Sequence, residues 1–185
     1  PSIDFGGGAQ FGISGSDIFI VKYTGAGVFQ WAKTLGGLGA DFATGVAMDA
    51  TGNVIVVGAF SPSLNPPVDF GGGPVNSAGS TDAFIAKYSP TGAHLWSKPL
   101  GGTLLDGATS VAVTSTGDVV VAGYFQGSVD FGGGALVSAG GNDMFVAKYT
   151  GSTGAHIWSK RFGSTTSDAV NSVKGAFDSV VGTIR

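Results

Sequence analysis

The sequence predicts an all-β protein made of β-propeller blades: three repeats of about 61–65 residues, each with four antiparallel strands, and a chain cut within a blade. Three observations predict this. The composition opposes helices: there are 34 Gly and 12 acidic residues, every acidic residue is Asp, and Glu is absent. Glu favours helices, whereas Asp and Gly favour turns. The chain also repeats itself in one register. D-F-G-G-G begins at Asp4, Asp69 and Asp130, a strand-leading Asp falls at 17, 82 and 143, Trp at 31, 96 and 158, and a later Asp at 41, 106 and 168. Four markers holding one period identify a repeat architecture. Finally, the runs Val54–Val57 and Val119–Val121 are apolar without alternation, so both faces of each strand must be covered.

Each unit reads as four strands. Strand A is Ala43–Asp49 or Ala108–Thr114, and strand B is Asn53–Phe60 or Asp118–Phe125. Strand C is Ile18–Tyr23, Ala83–Tyr88 or Met144–Tyr149, and strand D is Val28–Leu35, Ala93–Leu100 or Ala155–Phe162. The A–B turns, D-A-T-G-N and T-S-T-G-D, set Gly beside Asn or Asp as tight hairpins require. Strand A carries small residues (Gly45, Ala47, Ser110, Ala112), as expected where strands crowd near an axis. Along strand D, alternation predicts that Phe29, His94 or His156 shares a face with the Trp and Lys that follow. Four-stranded antiparallel sheets covered on both sides by their neighbours are propeller blades.

The markers divide the chain into an outer half-blade with a Gly-rich leader (1–40), complete blades at 41–102 and 103–163, and an inner half-blade at 164–185. Insertions fall in connections: Ser61–Pro67 is four residues longer than its counterpart at 126–128, and T-G-S-T-G is one residue longer than S-P-T-G. Residues 173–180 match strand A and its turn only loosely. Natural propellers close with about 4–8 blades, and unpaired strand edges recruit other chains. The expectation is therefore self-association, or further blades of a longer chain. Two copies would give a six-bladed ring, and repeated head-to-tail pairing a filament. Starting at Pro1 without Met, the sequence is expected to be a processed product or a portion of something longer, with any signal peptide already gone.

Composition excludes several functions. A net charge of −3 with 11% charged residues leaves no basic patch for nucleic acid. Without Cys there is no disulfide framework and no thiolate metal site. No apolar run reaches the length that spans a membrane.

The copy D-A-F-I-A-K-Y…G…W-S-K…L-G-G at Asp82–Gly102, with A-T-G-V-A-M-D…G-N-V-I-V-V-G at 43–58, resembles the bacterial SBBP-type β-propeller repeat family. The D-F-G-G-G linkers resemble those of large exported myxobacterial proteins. The resemblance covers Asp4 to Asp168, and the family is defined by its blade rather than by an activity. It implies a non-enzymatic scaffold or interaction module, extracellular or at the cell surface.

Candidate chemistry is sparse. Trp31, Trp96, Trp158, Asp17, Asp82, Asp143, Asp41, Asp106 and Asp168 recur once per blade and are read as structural, because catalytic pairs are unique constellations. No catalytic residue and no cofactor are expected. The one candidate ligand is Ca²⁺ at Asp4, Asp69 and Asp130 with the Gly-rich carbonyls. His94 and His156 occupy the position that Phe29 fills in the first copy, which is a packing role. The G-x-x-x-W element resembles the tryptophan motif of quinoprotein propellers, but the vicinal cysteines and the length of those enzymes have no match. The D-F-G-G-G run is followed by no phosphate-loop helix and no other kinase motif.

Two alternatives to a scaffold stand. Lys87 and Lys98 with Tyr88 and Trp96 could line a repeated sugar site, making a lectin that binds a glycan; the competing reading packs the aromatic rings between blades. The second alternative is part of a propeller hydrolase or lyase, which would need dissimilar polar residues clustered at the axis mouth.

Overall fold

The computed structural model describes residues 2–13, 15–62, 66–176 and 179–184. Residues 63–65 of the longer connection and 177, 178 and 185 of the C-terminal half-blade lie outside the described residues.

The described secondary structure is all strand. A short hairpin, β1 (Ser2–Asp4) and β2 (Ala9–Phe11), precedes the pair β3 (Ile18–Tyr23) and β4 (Phe29–Leu35). The next blade contains β5 (Phe42–Met48), β6 (Val54–Phe60), a small hairpin β7 (Val68–Asp69) and β8 (Pro74–Val75), then β9 (Asp82–Tyr88) and β10 (His94–Leu100). The following blade repeats this with β11 (Gly107–Val113), β12 (Val119–Phe125), the hairpin β13 (Ser128–Asp130) and β14 (Ala135–Val137), β15 (Asp143–Tyr149) and β16 (His156–Phe162). A last pair, β17 (Val170–Ala176) and β18 (Ser179–Ile184), follows.

The two four-stranded sheets run β5-β6-β9-β10 and β11-β12-β15-β16, the A-B-C-D order of a propeller blade. All seven residues of β6 are buried, as an unalternating apolar strand must be. One face of each sheet packs on the blade before and the other on the blade after. Ile55, Val57, Ile85, Trp96 and Leu100 join a cluster with the β12 and β15 side chains. Val54, Val56, Phe84 and Tyr88 join Ile18, Ile20 and Leu35. Strand A is small where it crosses its neighbour. A Cβ on Gly45 would lie 3.4 Å from the Ser110 Cα, and Thr44 Oγ1 donates to the Ala108 carbonyl of β11 at 2.7 Å.

Two sequence expectations need correction. The D-F-G-G-G stretches form hairpins of their own rather than plain linkers. In strand D a β-bulge falls between His94 and Trp96: His94 sits opposite Tyr88 while Trp96 sits opposite Lys87. The extra residue breaks the two-residue alternation, so the imidazole faces the preceding blade and Trp96, with Lys98, the following one. The same bulge recurs in β4 and β16.

Candidate functional site

The repeated residues form three sets of contacts, each seated on a blade edge. The first set joins one blade to the next. Trp31 Nε1 donates to the Pro90 carbonyl at 2.9 Å and Trp96 Nε1 to the Gly151 carbonyl at 3.1 Å, in each case the C–D turn of the next blade. Lys22 Nζ donates to the Gly52 and Pro90 carbonyls, and Lys87 Nζ to Gly151 O at 2.8 Å. Lys87 also pairs with Asp49 at 2.8 Å. Burial alone would raise the Asp49 carboxyl, but the Lys87 ammonium and the donors of Thr51 and Asn53 reverse this and hold it well below the usual carboxylate range. Lys33 Nζ lies 5.7 Å from the Tyr88 ring centroid, across the same junction. Trp158 is half-buried, with no following C–D turn among the described residues. Lys87, Tyr88 and Trp96 are buried and Lys98 is half-buried.

The second set is the Gly-rich hairpin. Asp69 Oδ1 accepts the N–H groups of Gly71 and Gly73 at 2.6 and 3.0 Å. Asp4 and Asp130 accept from Gly6 and Gly8, and from Gly132 and Gly134, in the same way. These bonds lower the fully exposed Asp130 carboxyl. Gly71 and Gly73 have φ of 106° and 109°, a region that favours glycine. A Cβ on Gly72 between them would lie 2.5 Å from the His94 ring, over which the loop lies flat. His94 Nε2 and His156 Nε2 lie 3.1 Å from Ser97 Oγ and Ser159 Oγ. The Phe of the motif turns inward: Phe70 stacks on Phe84 at 4.5 Å and meets Phe60 edge-on at 5.6 Å. The carbonyl of that Phe accepts a hydroxyl donated from 18 residues ahead, by Tyr23 to Phe5, Tyr88 to Phe70 and Tyr149 to Phe131.

The third set brings carboxylates together, buried at Asp41, Asp82, Asp106 and Asp143 and half-buried at Asp17 and Asp168. The Asp106 N–H donates to the Thr81 carbonyl at 2.7 Å, and its carboxylate accepts from the Gly102 and Gln126 N–H groups. Asp41 and Asp168 make the same backbone latch to Ser16 and Asn142. Asp41 accepts from Gly37 and Ser61, and Asp168 from Ser164. Asp82 Oδ2 accepts from Ala78 N–H at 2.6 Å, as Asp17 does from Ile13 and Asp143 from Ala139. The remaining Oδ1 of Asp17, Asp82 and Asp143 is buried without a partner. Burial, with the charge of Asp106 adding to it, pushes the Asp82 carboxyl up to about 6. Burial likewise raises Asp41 and Asp106. In the third complete set Arg161 bonds Asp143 Oδ2 at 2.6 Å, where the second has Pro99 and the first Thr34. Among the described residues no three Asp or His side chains converge as a metal site would need.

Sequence reasoning missed the Tyr hydroxyl bond and the carboxylate pairs. A signal for the first existed, since the D-F to K-Y spacing is constant in all three copies.

No family model matches the sequence. Over 154 aligned positions, 72% of the chain, it is 32% identical to an uncharacterized WD repeat-containing protein of Acanthamoeba polyphaga mimivirus, of which it covers 11%. Over 160 positions, 85% of the chain, it is 29% identical to the regulatory protein FlaEY of Caulobacter vibrioides, of which it covers 17%. The chain thus spans between a tenth and a fifth of the length of these curated relatives. Fold and comparisons together define a repeat protein of propeller type. No described helix is long and apolar enough to cross a membrane.

Proposed function

We propose that this chain is a non-enzymatic β-propeller interaction scaffold of the SBBP type, belonging to an exported or cell-surface bacterial protein. It joins further blades into a larger ring or filament through its incomplete blades. One observation carries the reading: the recurring Trp and Lys side chains of the first two units bond the next blade, while β3 and β18 each have only one strand neighbour among the described residues. Open strand edges are templates for pairing. The mimivirus relative, described as a WD repeat-containing protein, agrees with a role in presenting blades rather than in catalysis. The exported location rests on the resemblance of the D-F-G-G-G linkers alone.

Light scattering with negative-stain imaging of the purified chain tests this reading. Rings or filaments with a mass of at least twice 18.3 kDa are expected. A compact, stable monomer at every concentration would sink it.

A further inference from the structure

The outer half-blade β3–β4 repeats the outer halves of the two complete blades, but Phe19 and Tyr23 in it are exposed. Phe19 is 52% exposed, whereas its counterparts Phe84 and Phe145 are 0% exposed. Tyr23 is 44% exposed, against 0% for Tyr88 and Tyr149. The seat is nevertheless already formed. Phe5 stacks on Phe19 at 4.8 Å, close to the 4.5 and 4.3 Å of Phe70–Phe84 and Phe131–Phe145. Tyr23 Oη donates to the Phe5 carbonyl at 2.7 Å. What is missing is the third ring. In the complete blades it comes from the end of strand B, where Phe60 and Phe125 meet the stack edge-on at 5.6 Å and 89°. Beside the vacant seat runs a groove lined by Phe19, Val21, Gly45, Val46 and Val56.

The complete blades also give the register of the strand that fills such a seat. Phe60 lies opposite Asp82 and Gly58 opposite Phe84; Phe125 lies opposite Asp143 and Gly123 opposite Phe145. Glycine is required there by strand A first of all: a Cβ on Gly58 or Gly123 would lie 1.9 or 2.1 Å from the Phe42 or Gly107 carbonyl oxygen, and on Gly123 also 2.6 Å from the Phe145 ring. The filler must therefore be an extended apolar strand with glycine two residues before a large apolar side chain. Among the described residues one such strand has a single strand neighbour. Val180-Val181-Gly182-Thr183-Ile184 matches Val56-Val57-Gly58-Ala59-Phe60, with Ile in the place of Phe. It lies in β18, whose only described neighbour is β17, whereas β6 and β12 are each flanked on both sides.

We infer that the groove beside β3 is an acceptor site for a second copy of this chain, whose Ser179–Ile184 strand docks antiparallel on β3 with Gly182 opposite Phe19 and Ile184 opposite Asp17. This is donor-strand addition to an open sheet edge, and it rests on the reading of the chain as a self-assembling scaffold. The donor's β17 would lie along β5 as β5 lies along β11, covering the exposed Phe42, Val46 and Met48.

The experiment measures solution mass for the wild type, for Phe19→Lys at the acceptor and for Ile184→Lys at the donor. Circular dichroism confirms that each variant keeps its strand content. Each variant alone is expected at 18.3 kDa, while an equimolar mixture forms a one-to-one dimer through the intact acceptor of one and the intact donor of the other. A synthetic peptide with the sequence of Asn53–Ser61 is expected to bind Phe19-containing chains and to dissolve the wild-type assembly; the same peptide with Lys in place of the phenylalanine should do neither. If the wild type assembles but both variants assemble equally well, this inference falls and the scaffold reading stands. If the wild type is monomeric at every concentration, both fall.

Discussion

Phe19 and Phe84 occupy the same place in the same motif, stack on the same kind of Phe and lie beside the same Tyr–carbonyl bond, yet one is half exposed and the other enclosed. Two things differ: Phe84 has a strand B beside it, and its cluster includes Ile18, Ile20 and Leu35 of the half-blade before, while Phe19 has neither among the described residues. The D-F-G-G-G hairpin and the C–D pair are shaped by local rules: the Asp cap, the left-handed glycines and the stacked ring. Enclosing that ring takes the inner strands and the face of a preceding blade, neither of which lies beside β3 among the described residues. The recurring motif thus builds the outer half of a blade by itself, and the inner half with the preceding blade supplies the cover.

Breaking this comparison at its strongest point means truncating both rings. Phe84→Ala is expected to cost about 3–5 kcal/mol, the cost of emptying a packed aromatic site, whereas Phe19→Ala should cost below about 1 kcal/mol in the unassembled chain. Urea unfolding of dilute protein reads both; equal losses would mean that β3 is covered after all.

The carboxylate pairs offer the next contrast. Asp82 has a folded-state value of about 6, raised from the ordinary 3.8. The folded protein therefore holds this proton more tightly than the unfolded chain does. Its contribution is fully present below about pH 4, declines as pH rises through 6, and is flat above, a change of about 3 kcal/mol at most. Asp82→Asn should flatten that decline and stabilise the protein at pH 7. Asp143→Asn should not stabilise it, because Arg161 already compensates that carboxylate. Thermal melts between pH 4 and 7.5 separate the two, and a stability of wild type that rises over pH 4–6 by Asp82 titration would contradict the assignment.

A smaller effect distinguishes the junctions. Trp96→Phe removes the bond to the Gly151 carbonyl and should cost about 1 kcal/mol, while Trp158→Phe should cost less, having no following turn among the described residues. Smallest of all is His94→Phe, which gives the second blade the residue of the first. The ring contact with Tyr88 survives and only the Ser97 bond is lost, so the midpoint should move by less than about 1 kcal/mol.

Much of the fold was legible in the sequence because its signals are periodic. The spacing of Asp4, Asp69 and Asp130 set the repeat, and the unbroken apolar run at Val54 placed a strand covered on both faces. Whatever broke the period was not legible. The bulge at His94 sends the imidazole and Trp96 to opposite faces, and nothing in the alternation of residues 93–100 signals an extra residue. The partnerless Asp82 oxygen arises from two strands meeting at a turn, a contact that only packing reveals. The open seat at Phe19 was half legible: the order of the strand-like runs after Asp4 could be read, but the preformed stack with Phe5 and the glycine requirement opposite it needed coordinates.

Solution mass of Phe19→Lys beside wild type decides whether the edge of β3 is a docking site. Wild-type assemblies of at least two chains are expected, with a variant of 18.3 kDa and unchanged strand content. A monomeric wild type, or a variant that assembles as well as the wild type, would contradict docking at β3.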